Sequence, residues 1–250
     1  MMRTARLKEL EQMISEKEFI AVDEICKHFG VHVNTARADI KELERKGVAE
    51  KRYGGVARVN TTLPTTFVER DRTQRSAKEE IGIKAARYLE EGDVVYIDSG
   101  TTTAQMFSKD RVLPRQLTVI TNNLSIVNWV MLNAEYSVFV LPGKGDRQLN
   151  SVASLETIES LKNYNIGKAF ISCRKVASNG ALTSASSIDA KIKETAIARS
   201  QQVFLMADSG KVGLPELYSF SNISQVNCWI CDVETDKVSE VAKISNAKVV

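Results

Sequence analysis

Cysteine, proline and histidine are scarce in this chain of 250 residues: four, four and two of each. Four cysteines at positions 26, 173, 228 and 231 form neither the even ladder of a disulfide scaffold nor, with two histidines, a zinc-ligand set. Their one close pair, Cys228 and Cys231, lies in the apolar run VNCWICDV, which reads as a buried strand with reduced thiols. No metal site and no cofactor are expected. No apolar run approaches the ~18 residues that a membrane helix requires, and the opening MMRTARLKELEQM is charged and amphipathic, unlike a signal peptide. The expected protein is soluble and cytoplasmic. Excess charge is also missing, since 34 Lys plus Arg face 31 Asp plus Glu. A nucleic-acid partner therefore has to be argued from where the charge lies.

Apolar content is ample, at 43 %, to bury a core. Leu7, Leu10, Met13 and Ile14 recur at spacings of three and four and predict a first helix over residues 3–16. A second, short helix opens at Asp23 and Glu24, turns Val22, Ile25, Cys26 and Phe29 inward, and stops at Gly30. A third, capped by Asn34 or Thr35, runs to about Lys46 with Ala36, Ile40 and Leu43 inside. EKRYGGVARV then alternates about a Gly-Gly turn, as a hairpin does. Three helices and a hairpin make a winged helix-turn-helix over residues 1–59. The stretch NTTLPTT, residues 60–66, lacks periodicity and reads as a linker.

From residue 67 to 250 short apolar segments (VVYIDSG, LTVIT, YSVFVLPG, LKNYNIGKAFISC, QQVFLMAD) alternate with helical patterns (KEEIGIKAARYLEEG, TTAQMFSKD, NLSIVNWVML, SLETIESLKN, AKIKETAIARS). That alternation predicts βαβ units, hence a Rossmann-like, mostly parallel sheet covered on both faces. The fold class is α/β with an N-terminal winged helix-turn-helix.

Charge is concentrated where a winged helix meets DNA. Residues 31–58 hold seven basic side chains against four acidic, whereas residues 2–30 hold five against six. Asn34, Thr35, Arg37 and Lys41 are the candidates for base edges and phosphates, and Lys51, Arg52 and Tyr53 on the hairpin for backbone or minor groove. Asp39 is not expected to read a base, because a carboxylate beside phosphate is repelled; pairing with an arginine suits it better.

The second set of candidates sits at strand ends, where ligands of open parallel sheets bind. Asp98, Ser99, Gly100, Thr101, Thr102 and Thr103 follow one strand, and a following helix N-terminus would offer N–H groups and its dipole to a phosphate. Asn122 and Asn123 end the next strand, and Gly143 the one after. Lys211, after the strand FLMADSGKVG, and Lys191 on the helix before it are the candidate phosphate cations, while Lys193 reads as solvated. For catalysis only Asp98 and Asp208 offer themselves, without a second acid/base group, and both histidines, His28 and His32, fall in the first domain. An enzyme is not expected.

In this order FIAVDEICKHFGVHVNTARADIKELERKG, RYGGV, FVERD, YIDSGTTT, VITNN and ADSGKVG resemble the DeoR family of bacterial sugar-metabolism regulators along nearly the whole chain. The resemblance implies a transcription repressor of a sugar or carbohydrate catabolic operon, acting on double-stranded operator DNA as a homo-oligomer, dimer or tetramer. It also implies a C-terminal domain that looks like sugar-phosphate isomerases and binds a small phosphorylated sugar effector, shifting the population of DNA-binding states. Several positions depart from the family pattern: Ala38 where a second arginine is usual, Lys144 in place of the second of two glycines, Ser154 where a glycine is expected, and Ser172-Cys173-Arg174-Lys175 where the turn usually contains a glycine.

Overall fold

A computed structural model describes residues 3–17, 19–45, 49–52, 54–58, 66–108, 111–245 and 247–250, without the side chains of Thr4, Ser15, Glu16, Arg52 and Arg58. The chain divides into two units, Met1–Leu63 and Pro64–Val250. The expected linker lies outside the described residues except for Thr66.

In the first unit α1 (Arg3–Glu16) is followed by β1 (Phe19–Ala21), α2 (Val22–Phe29), α3 (Val33–Arg45), β2 (Ala49–Arg52) and β3 (Gly55–Arg58). Gly30 closes α2 in the left-handed conformation at φ 62°, its N–H donating to the Cys26 carbonyl. The three strands form an antiparallel sheet in the order β1-β3-β2, so Phe19 and Ile20 add a strand to the predicted hairpin. Leu10, Ile14, Ile20, Ile25, Ala36, Ile40, Leu43, Ala49 and Val56 form the core. Helix α3 begins at Val33, so Asn34 and Thr35 stand inside its first turn rather than cap it; the Thr35 N–H donates to the His32 carbonyl at 2.9 Å.

The second unit opens with α4 (Phe67–Arg72), whose N-cap Thr66 forms a capping box with Glu69, and α5 (Arg75–Ala86). There follow β4 (Val94–Ile97), β5 (Thr118–Thr121), α6 (Leu124–Asn133), β6 (Ser137–Val140), the short pair β7 (Gly145–Asp146) and β8 (Ser151–Val152), α7 (Leu155–Leu161) and β9 (Ile166–Ile171). After them come β10 (Lys175–Val176), β11 (Ala181–Ser184), α8 (Ser187–Ala198), β12 (Ser200–Met206), β13 (Tyr218–Asn222), β14 (Cys228–Ile230), α9 (Asp236–Ala242) and β15 (Lys248–Val249). Seven strands pair in parallel in the order β15-β14-β12-β9-β4-β5-β6. Val95 and Ile97 point into one core cluster and Tyr96 into another, the period of a strand buried on both faces. An antiparallel sheet, β10-β11-β13, is an addition that the sequence pattern did not announce.

One predicted helix is absent. TTAQMFSKD forms only a single 3-10 turn, Thr103–Met106. Threonine is a poor helix former, and the Thr103 hydroxyl instead donates to the carbonyls of Asp98 (2.8 Å) and Gly100 (2.9 Å). The DSGTTT turn therefore has no long helix dipole behind it.

Candidate functional site

In the first unit, α3 exposes Asn34, Arg37, Ala38 and Lys41, with Thr35 half-buried at its start. Asp39 on the same helix is buried and accepts from Arg6 of α1, Nε at 2.6 Å and Nη2 at 3.3 Å. Its charge is thereby kept off the exposed face. Arg45 is held by Glu42 at 2.9 Å, whereas no ion pair involves Arg37 or Lys41 among the described residues. Lys51 is exposed on β2, the Arg52 side chain is not described, and Tyr53 lies outside the described residues. A helix face of amide, guanidinium, methyl and ammonium groups is the surface chemistry that the major groove accepts.

In the second unit the polar residues converge at the carboxyl ends of β4, β5, β9 and β12. Asp98, directly after β4, is fully buried and accepts from Lys193 Nζ of α8 at 2.5 Å, from the Ser172 N–H at 3.0 Å and from the Ser172 hydroxyl at 2.7 Å. Lys193 also lies 3.3 Å from Asp189, which accepts from the Ser99 and Ser184 hydroxyls at 3.1 and 2.7 Å. Burial alone would raise the Asp98 pKa, but the Lys193 charge and the donors from Lys193 and Ser172 outweigh it and hold the pKa below the usual carboxylate value. Burial likewise works against the Lys193 ammonium, and Asp189 and Asp98 reverse that, raising its pKa. Lys193, read from the sequence as solvated, is thus built into the site. Lys191 instead points outward and pairs with Glu194 at 2.9 Å on the surface, so the geometry does not bring it to this cluster.

Several of the predicted residues turn their hydrogen bonds toward the backbone. Asn123 donates to the carbonyls of Asp98 (3.0 Å) and Gly100 (3.3 Å) and caps α6 through the Ser125 N–H. Asn122 donates to the Val152 carbonyl and accepts from the Tyr96 hydroxyl. A side chain at Gly100 would put its Cβ 1.9 Å from the Ser172 hydroxyl oxygen, so only glycine lets the turn approach that closely. Gly143 sits at φ 135° with Ser154 Oγ 2.2 Å from where a Cβ would stand. Ser154 in turn starts α7, so that departure from the family pattern supplies a cap. Thr101 is buried, and the hydroxyls of Thr102 and Ser151 are buried without a partner among the described residues.

Around this frame stand cations that repel one another. Lys211 donates to the Cys173 carbonyl at 2.6 Å, and Lys78 of α5, almost fully buried, donates to the Arg70 carbonyl. Burial, and next the charge of Lys211, bring the Lys78 pKa down to about 8. Burial, and next the charge of Arg174, bring the Arg70 pKa down to about 10. Arg70 also donates to the Gln148 carbonyl at 3.3 Å. Arg70 and Lys78 were not singled out from the sequence; their approach to the strand ends is a tertiary fact. Cys228 and Cys231 are buried, and burial raises the pKa of both thiols, that of Cys231 to about 12.

A DNA-reading winged helix joined to a sensor-like α/β unit defines a transcription regulator, and the comparisons with known proteins agree. Residues 6–62 match the DeoR-like helix-turn-helix domain and residues 73–233 the DeoR C terminal sensor domain. The chain belongs to the DeoR family. It is 30 % identical to the HTH-type transcriptional regulator IolR of Bacillus subtilis (strain 168), covering 94 % of this chain and 93 % of that one. It is 28 % identical to the lactose phosphotransferase system repressor of Staphylococcus aureus (strain N315), covering 95 % of each. With the glycerol-3-phosphate regulon repressor of Escherichia coli (strain K12) the identity is 23 %, over 93 % of this chain and 92 % of that one. Among solved structures, ribose 5-phosphate isomerase A of Methanocaldococcus jannaschii aligns with 56 % of each chain at a TM-score of 0.40 and 13 % identity, a likeness too low to specify a function. No described helix is long and apolar enough to cross a membrane.

Proposed function

We infer that this regulator is a cytoplasmic repressor of a carbohydrate catabolic operon whose affinity for operator DNA is set by a phosphorylated sugar held at the strand ends of its C-terminal unit. The observation that carries the reading is the group of cations at the strand ends, the buried Lys78 with the half-buried Arg70, Arg174 and Lys211. Burial first, and then the charge of Lys211 beside Lys78 and of Arg174 beside Arg70, works against the charged forms of Lys78 and Arg70, a strain that a dianionic phosphate would relieve. The buried Thr102 and Ser151 hydroxyls, lacking partners among the described residues, suit the oxygens of such a ligand. Two relatives carry glycerol-3-phosphate and a phosphotransferase system in their names, which supports the same class.

In this reading Arg70, Lys78 and Lys211 bind the phosphate with the turn Ser99–Thr103, while Asp98, Asn122, Asn123 and Gly143 hold the pocket's shape. The chain works as a homo-oligomer, with 1–59 on DNA, 60–66 as linker and 67–250 as sensor. It is read as a regulator and not an enzyme, because Asp98 is locked in an ion pair and has no lone role as a base. The test is thermal melting of the intact protein against sugars and their phosphates, together with operator affinity. A phosphate-specific rise in melting temperature that vanishes in Lys211→Ala supports the reading. Stabilisation by free sugars alone removes the phosphate.

A further inference from the structure

Helix α6 carries no charged residue along its whole length, LSIVNWVMLN, whereas every other described α-helix carries at least two. Its inner face, Ile126 and Val130, is buried against the sheet, but its outer face leaves Leu124, Met131 and Leu132 exposed at 39, 69 and 73 %. A surface helix ordinarily puts charged groups on that side; here the exposed polar groups are the amides of Asn128 and Asn133. Next to it, β6 is the last strand of the seven-stranded sheet and exposes Phe139 and Val140 at 47 and 46 %. Leu155, just beyond the Ser154 that meets Gly143 past the end of β6, is exposed at 73 %.

The two edges of the sheet are treated differently. At one end β15 is two residues long and carries Lys248, the kind of short, charged strand that discourages further pairing. At the other, SVFV offers an open ladder with no lysine, proline or charge to blunt it. The exposed apolar side chains around this edge, those of α6 on one face of the sheet and Phe139, against Tyr164, with Leu155 on the other, add up to on the order of 600 Å². That is most of the ~800 Å² per partner that a standard interface buries.

We propose that α6 and the edge strand β6 are the surface on which two copies of this chain pair, β6 running antiparallel to its own twofold mate. A twofold axis perpendicular to the sheet makes the paired strands antiparallel, extends the sheet across both copies and leaves the two α6 helices side by side on one face. An isologous contact requires a self-complementary patch. The lack of charge on α6 and β6 meets that requirement, because no like charges are brought together. A protein partner of other chemistry would be expected to leave some charged signature on a face this size. The proposal rests on the homo-oligomer reading above and adds to it the surface.

Sedimentation of the full chain at micromolar concentration tests it, with Met131→Glu and Phe139→Lys on the patch and Val112→Glu, at a position exposed elsewhere, as control. The expected result is twice the chain mass for the parent and the control, and a dimer weakened by roughly tenfold or more in each patch variant. Mixing Met131→Glu with Met131→Lys should restore the dimer, since opposite charges then meet across the axis, a rescue that an unfolded variant would not give. A parent dimer that all patch variants retain overturns this surface and leaves the oligomer reading standing. A monomeric parent overturns both.

Discussion

Lys193 on α8 delivers its ammonium to within 2.5 Å of Asp98 at the end of β4, with both side chains almost wholly out of water. Charges in such a place are stable only as a unit: Asp189, Ser172, Ser99 and Ser184 supply the remaining hydrogen bonds. The pair therefore ties a helix to the strand end on which the DSGTTT turn is built.

Removing one partner should strand the other. Asp98→Ala and Lys193→Met are each expected to cost about 3–5 kcal/mol of stability, and the double variant less than their sum. Urea unfolding at neutral pH measures this. The lowered Asp98 pKa contributes stability above the unfolded carboxyl value, lost as pH falls through the folded one; the raised Lys193 pKa contributes below the unfolded lysine value, lost as pH rises through the folded one. The pair's contribution should stay flat across the neutral range, and additive single-site losses would show the two residues to be uncoupled.

Lys78 behaves oppositely. With its pKa near 8 when folded and about 10.4 when unfolded, the folded protein binds fewer protons between those values, so this residue makes stability rise with pH across that window. Lys78→Met should lack that rise. On the proposed function, binding of a sugar phosphate just above pH 8 should take up a proton, measurable as a buffer-dependent heat, and affinity should fall as pH climbs further. A heat just above pH 8 that is the same in buffers of different ionisation enthalpy would take Lys78 out of the phosphate site.

Asp39 and Arg37 lie two residues apart on α3 with opposite roles. Arg37→Ala should weaken operator binding by about 1–3 kcal/mol if it meets a base while leaving the melting temperature unchanged. Asp39→Ala should lower the melting temperature, because Arg6 loses its buried partner. Fluorescence anisotropy at matched salt and a thermal melt separate the two; equal affinity for Arg37→Ala would remove that residue from the interface.

Gly100→Ala should push the Ser172 hydroxyl off Asp98, since the new Cβ and Ser172 Oγ would stand 1.9 Å apart. Overpacking of this kind costs about 1–3 kcal/mol. Adding Ser172→Gly should recover part of the loss despite deleting a hydrogen bond, and a double variant no more stable than Gly100→Ala would show that the clash is not the cause.

Much of this was legible in the residues. The alternation of short apolar runs with amphipathic ones gave the parallel sheet, because strands buried on both faces and helices covering them leave different periods. The turn at DSGTTT was legible as a polar strand end, but the helix after it was not to be had: threonine is a poor helix former, and the Thr103 hydroxyl bonds back to the turn. Lys191 and Lys193 show the commonest error. A lysine is assumed to be in water, yet Lys193 follows Asp189 by four residues and precedes the buried Ala196 by three, so the inward stripe was written in the spacing. For Arg70 and Lys78 there was no such cue, since their meeting with Lys211 and Arg174 depends on how α4 and α5 pack over the strand ends. Asn34 or Thr35 was expected to cap α3 because such side chains often do; the helix begins at Val33, ahead of both.

The asparagines that fix the DSGTTT turn give their hydrogen bonds to carbonyl groups of the chain itself, and the serines give theirs to the buried carboxylates of Asp98 and Asp189. A frame held that way does not care which metabolite visits it. On the proposed function, a library meant to retarget this regulator as a biosensor would vary positions 70, 78 and 211 and leave 98, 100, 123, 172 and 193 untouched. Diversity would then fall on recognition while the chassis stays folded.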